Sequence, residues 1–144
     1  MLLTDVNKDD NKELIAILTT GTGSDHHIEN IHILELPNLK EMSILNPINI
    51  INENVTTKII SKDDKVLIAI SINNSITEIV KDKSFTPLWF NNVAFGSEIH
   101  WRIYNDIIYA DVDAQVSPSG YVGTIEIEYE FKGDMLALKK IRFI

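Results

Sequence analysis

Residues 124–131 read TIEIEYEF, an alternation of apolar and acidic side chains with a period of two. In a strand this puts Ile125, Ile127, Tyr129 and Phe131 on one face and Glu126, Glu128 and Glu130 on the other. A helix would scatter both sets around its axis, because its period is 3.6. Residues 97–104, SEIHWRIY, alternate in the same way. Ile99, Trp101 and Ile103 point inward, while Glu98, His100, Arg102 and Tyr104 point outward. Further strands are expected at 2–6, 13–19, 27–36, 56–61, 65–72, 75–80, 107–113 and 135–143. Isoleucine, abundant throughout, suits a pleated and half-buried surface.

A second pattern joins these segments. KDDNKELIAI (8–17) and KDDKVLIAI (62–70) match with a one-residue gap, and KGDMLAL (132–138) and YNDIIYADV (104–112) have the same shape. In each, a polar turn of Asp, Asn or Gly feeds an apolar run. Those residues accept positive φ or bond their own backbone, so the four are read as hairpin turns and not as a solenoid repeat.

Helical signals are few. Thr86 before Pro87 marks a possible cap for one or two turns over 86–92, and LPNLKEMS (36–43) is a second short candidate. DNKELIAILTTG offers a rival helix between Asp10 and Gly21, but its match to the β-rich DDKVLIAISI favours a strand. The expected fold is mainly β. It has eight to ten short antiparallel strands in a sandwich or strongly bent sheet, with one or two short helices, as a single domain over 1–144.

The absence of cysteine removes disulfides, thiol catalysis and cysteine-ligated zinc together. The N-terminal stretch MLLTDVNKDD has no basic and then apolar leader, and the longest apolar run, VLIAISI, is about a third of a membrane span. A soluble cytoplasmic protein is the expectation. A net charge of −8, with basic residues clustered only at Lys139, Lys140 and Arg142, argues against direct nucleic-acid binding. It favours basic proteins as partners.

TTGTGSDHHIENIH (19–32) holds three of the four histidines. On a strand His26 and His32 share a face but lie roughly 20 Å apart, and His27 points the other way. On a helix Asp25, Glu29 and His32 share a face, without a pair of histidines four apart. A local metal site does not close in either geometry. Zinc would need a loop to fold His26 against His27 or Asp25, and His100 to arrive from another strand. The expectation is therefore no metal and no cofactor. Ser24, Asp25 and His26 are sequence neighbours and cannot form a nucleophilic triad. Ser119 lies in no nucleophile elbow, and GTG (21–23) lacks the rest of a phosphate cradle. DVDAQ (111–115) opens like a calcium loop but lacks its later glycine and glutamate.

Two features remain. The row Glu126, Glu128, Glu130 spaces carboxylates ~6.7 Å apart, and Asp111 and Asp113 form a shorter row shared with Tyr109. Repulsion at that spacing is only about 0.6 kcal/mol in water, so a fold tolerates it. The row serves either as a solvated face or as a docking face for a basic partner. The segment 85–101 concentrates Phe85, Trp89, Phe90, Phe95 and Trp101. Most of these belong in the core, Trp101 among them, and Trp89 beside a turn is the candidate exposed anchor.

The function expected is non-catalytic: an acidic domain that neutralises a basic partner, such as a toxin or nuclease, by occlusion. An immunity protein, an antitoxin and a phage-encoded inhibitor are all of this type. Its contact residues would be Glu126, Glu128, Glu130, Asp111, Asp113, Tyr109 and Trp89. The alternatives are a structural or assembly subunit, and a sugar- or calcium-binding β-domain in which His26, His27, Asp111 or Asp113 would matter.

Overall fold

The alternating segments become β-strands in the computed structural model, which describes residues 1–23 and 26–144. The order is β1 (Leu2–Thr4), β2 (Glu13–Gly23), β3 (His26–Glu35), β4 (Lys40–Glu41), β5 (Ser43–Ile44), α1 (Pro47–Asn54), β6 (Val55–Lys62), β7 (Lys65–Ile72), β8 (Ser75–Asp82), β9 (Glu98–Tyr104), β10 (Ile107–Ser117), β11 (Gly120–Lys132) and β12 (Met135–Phe143). A single 3-10 turn covers Lys83–Phe85. The large sheet runs β1-β2-β3-β9-β10-β11-β12-β5, with β4 beside β3, and the small sheet runs β6-β7-β8. Pairing is antiparallel except at β3–β9 and β12–β5, which are parallel and depart from the all-antiparallel expectation.

One continuous core joins the sheets. β7 buries Val66, Ile68, Ile70 and Ile72, and β10 buries Ile108, Ala110, Val112 and Ala114. Ile125 and Ile127 of β11 fall in the same cluster, and β7 lies against β12. Trp101 is buried as expected, its ring against Tyr129 at 5.6 Å between centroids.

Three of the four turns read from sequence are two-residue hairpins. Lys62 pairs with Lys65, Tyr104 with Ile107, and Lys132 with Met135. Positive φ falls on Asp63, on Asn105 and Asp106, and on Gly133, as tight turns require. The fourth, at 8–10, lies in the longer loop between β1 and β2, with positive φ at Lys8 and Asp10.

The helices are not where the sequence signals put them. Residues 86–92 form no helix. Thr86 is buried and its hydroxyl donates to Ser117 Oγ at 2.8 Å, so it caps nothing. Residues 36–43 make a turn and then β4, and the rival N-terminal helix is β2. The helix lies at 47–54 instead. There Asn46 Oδ1 accepts from the N–H groups of Ile48 and Asn49, Pro47 opens the first turn, and Ile50 and Ile51 are buried. Three large apolar residues run consecutively after Pro87, whereas Pro47, Ile50 and Ile51 return to one helical face.

Gly123 sits at a register shift between β10 and β11, where a Cβ would stand 2.4 Å from Phe143 Cζ and 2.9 Å from the Ile144 carbonyl oxygen. Gly123→Ala is expected to destabilise by about 1–3 kcal/mol, read as a lower urea midpoint. An unchanged midpoint would show that the last residues of β12 are not held against β11. No helix among the described residues is long and apolar enough to cross a membrane.

Candidate functional site

Strand register assembles the polar face of the large sheet. Asp111 of β10 pairs with His100 on one side and Glu126 on the other, and Glu126 pairs with Arg142. Period two puts these side chains on one face with Arg102, Tyr109, Asp113 and Glu128.

The acidic row is not a free platform. Glu126 is 7% exposed and lies between two cations: Arg142 Nε and Arg102 both donate to its carboxylate. Arg142 foremost, with Arg102 behind it, holds the Glu126 carboxyl below its ordinary value against the opposing effect of burial. Arg102 also donates to Asp111, from Nε at 2.7 Å, and its guanidinium lies 4.3 Å from the Tyr109 ring centroid. Asp113 accepts from the Thr124 hydroxyl at 2.8 Å, and Glu128 is 3.4 Å from Lys139 Nζ. Of the three glutamates only Glu130 stands exposed, so the expectation of three solvent-facing carboxylates is corrected for Glu126 and for Glu128, which is half-buried beside Lys139. The cause is cross-strand: Arg142 of β12 is in register with Glu126, and Arg102 of β9 reaches it across β10. Trp89 is half-buried against the core and donates its indole N–H to the Lys83 carbonyl at 3.0 Å, so it is no freely projecting anchor. Its neighbours Phe85 and Leu88 are the exposed ones.

The histidines separate into three settings. His26 is exposed at the start of β3, and His32 Nδ1 lies 2.6 Å from Glu41 Oε1. His27 and His100 come together because β3 and β9 run in parallel with His27 opposite Glu98 and Ile28 opposite Ile99. Their rings stack at 4.6 Å and 7°. His27 Nε2 is 3.1 Å from Glu29 Oε2, and His100 Nε2 is 3.1 Å from Glu98 Oε2. Glu29 Oε1 accepts from the Trp101 N–H at 2.9 Å. Burial raises the Glu29 carboxyl, but that N–H and the two imidazoles together outweigh it and hold the group below its ordinary value. Ser24 and Asp25, weighed above with His26, lie outside the described residues.

A third group was not singled out from the sequence. Asp5, Asp9 and Glu13 converge in the β1–β2 loop. Their carboxylates accept the loop's own N–H groups: Val6 and Asn7 donate to Glu13, Asp9 and Asp10 to Asp5, and Asn11 to Asp9. Glu13 is 2% exposed, and burial raises its carboxyl above the ordinary range. The signal was legible as side-chain oxygens at every second position from Asp5 to Glu13.

Comparison with known proteins found no matching family model, no matching curated protein and no matching solved structure.

Proposed function

We propose that this chain is a non-catalytic protein-binding domain that neutralises a basic partner by occlusion, as an immunity protein, antitoxin or inhibitor does. Its contact surface is the acidic end of the large sheet, with Glu130 as the member of the glutamate row that takes part. Registers place the β1–β2 loop and the 105–106 and 133–134 turns at that end. Thr4 and Lys8 both bond Asp106 across it, and a cleft of about 280 Å³ runs between Asn7, Asp106, Glu130 and Lys139.

The observation that carries this reading is where uncompensated charge stands. Asp9, Asp10, Glu130 and Asp134 are exposed and in no ion pair among the described residues, whereas Asp106 has Lys8 and Lys12 nearby and Glu126 and Asp111 already hold arginines. A basic partner gains most from carboxylates that have no cation to surrender.

The test is affinity capture from host lysate with the full chain. A basic protein retained at low salt and released above roughly 0.3 M is expected. Asp9→Lys, Asp10→Lys and Glu130→Lys together should abolish its capture, while Glu53→Lys with Glu78→Lys, which change net charge elsewhere, should not. Equal loss in both variants, or retention in both, would overturn the assignment.

An assembly subunit is the second reading, supported by β8. It is an edge of the small sheet, and Ile60, Leu67 and Val80 align in register on that sheet's outer face, with Ile76 and Val80 exposed. Concentration-dependent self-association in sizing experiments, removed by Val80→Lys, is the outcome that would favour it.

A further inference from the structure

We propose that His27, Glu29 and His100, with Glu98 holding the far ring nitrogen of His100, bind one divalent ion of the zinc class on the outer face of the large sheet. The site is separate from the acidic end and does not depend on the partner-binding reading.

Three observations converge on it. The first is placement. His27 and Glu29 are two apart on β3, Glu98 and His100 two apart on β9, and the parallel register sets His27 opposite Glu98. Two rigid strands thus present two imidazoles and two carboxylates as one block. One ligand atom from each of His27, Glu29 and His100 lies within 4.8 Å of the others.

The second is charge. Glu29 and Glu98 have side chains only 19% and 21% exposed, and among the described residues their ion-pair partners are histidines alone. Asp111, Glu126 and Glu128 on the same face each hold an arginine or lysine. Two half-buried carboxylates between two imidazoles are what a dication would balance.

The third is aim. The Trp101 N–H fixes Oε1 of Glu29, leaving Oε2 3.1 Å from His27 Nε2 and 3.9 Å from His100 Nδ1. Such anchoring by a backbone donor orients a ligating carboxylate.

The donor set selects the ion. Imidazole nitrogens suit zinc, nickel and copper, whereas calcium and magnesium prefer all-oxygen sites. Bonds of 2.0–2.1 Å bring tetrahedral donors to ~3.3 Å from one another, so the block must tighten. The stacked rings lie in parallel planes, and in-plane lone pairs from such planes cannot meet at one point. His100, with a side chain 44% exposed, therefore turns out of the stack when the ion binds.

The experiment titrates zinc chloride into the chelator-stripped full chain by calorimetry and follows the imidazole nitrogens by NMR. One ion per chain is expected, with His27 and His100 signals moving while those of His26 and His32 stay. His100→Gln, on a half-exposed ring, should weaken binding at least about tenfold, as should His27→Gln. Asp9→Asn, in the β1–β2 acidic group, should leave it unchanged. Uptake only above roughly 0.1 mM, uptake insensitive to both histidine changes, or shifts confined to His26 or His32 would overturn the site. If either substitution unfolds the chain, the wild-type imidazole shifts alone decide.

Discussion

Ile68→Ala is expected to cost about 2–5 kcal/mol and to lower the melting temperature by roughly 10 °C. Ile68 is fully buried at the middle of β7, the central strand of the small sheet, and belongs to the same apolar cluster as Val112 and Ile127 of the large sheet. Truncation there removes three methyl(ene) groups and leaves a cavity between layers that close only partly. Ile76→Ala on β8 is the comparison. Its side chain is 66% exposed, so its loss should stay within about 0.5 kcal/mol. The measurement is a thermal or urea melt followed by two probes. A single transition shifted by Ile68→Ala supports one shared core. Two transitions, with only the earlier one moved, would mean the small sheet is an independent lobe.

The second large effect concerns Glu126. Glu126→Lys would put a third cation between Arg102 and Arg142 on the most covered part of the polar face. A loss of about 2–3 kcal/mol is expected, below the range for a fully buried pair because both arginines are about half exposed. Charge reversal at this residue therefore reports on folding, which is why the capture experiment uses Glu130, Asp9 and Asp10. Glu126→Gln keeps the shape and should cost about 1–2 kcal/mol near neutrality. The pH dependence has a definite sign. The folded Glu126 carboxyl lies below its ordinary value of 4.5, so its contribution is fully present above that value and fades as the pH falls below it. The gap in melting temperature between wild type and Glu126→Gln should accordingly narrow on going from neutrality to about pH 3. A gap independent of pH would show that the arginines do not hold the carboxylate in its charged form.

Most strands were legible because their signal is local. Alternation in TIEIEYEF and SEIHWRIY needs only neighbouring residues to declare a strand, and a pair such as Asn105–Asp106 accepts the positive φ of a tight hairpin by its own chemistry. The helix was harder. Asn46–Pro47 and Thr86–Pro87 carry the same start signal, and the two differ in which following residues find a core to bury against. β4 and β5, two residues each, have no pattern long enough to see.

What the sequence by itself determined is most of the strands, their tight turns, the buried isoleucine rows and the excess of negative charge. Which charges remain free was decided only by the tertiary structure. Glu126 and Glu130 occupy equivalent places in the alternation, yet one is covered by arginines from β9 and β12 and the other faces solvent. His27 and His100, 73 positions apart, meet because a parallel register joins β3 to β9, while His26, adjacent to His27, stands apart. The physical reason is that a strand's period sets the face of each side chain but carries no information about the neighbour across the ladder. Pairing between distant strands supplies that neighbour, and with it the burial, charge balance and ligand geometry of the face.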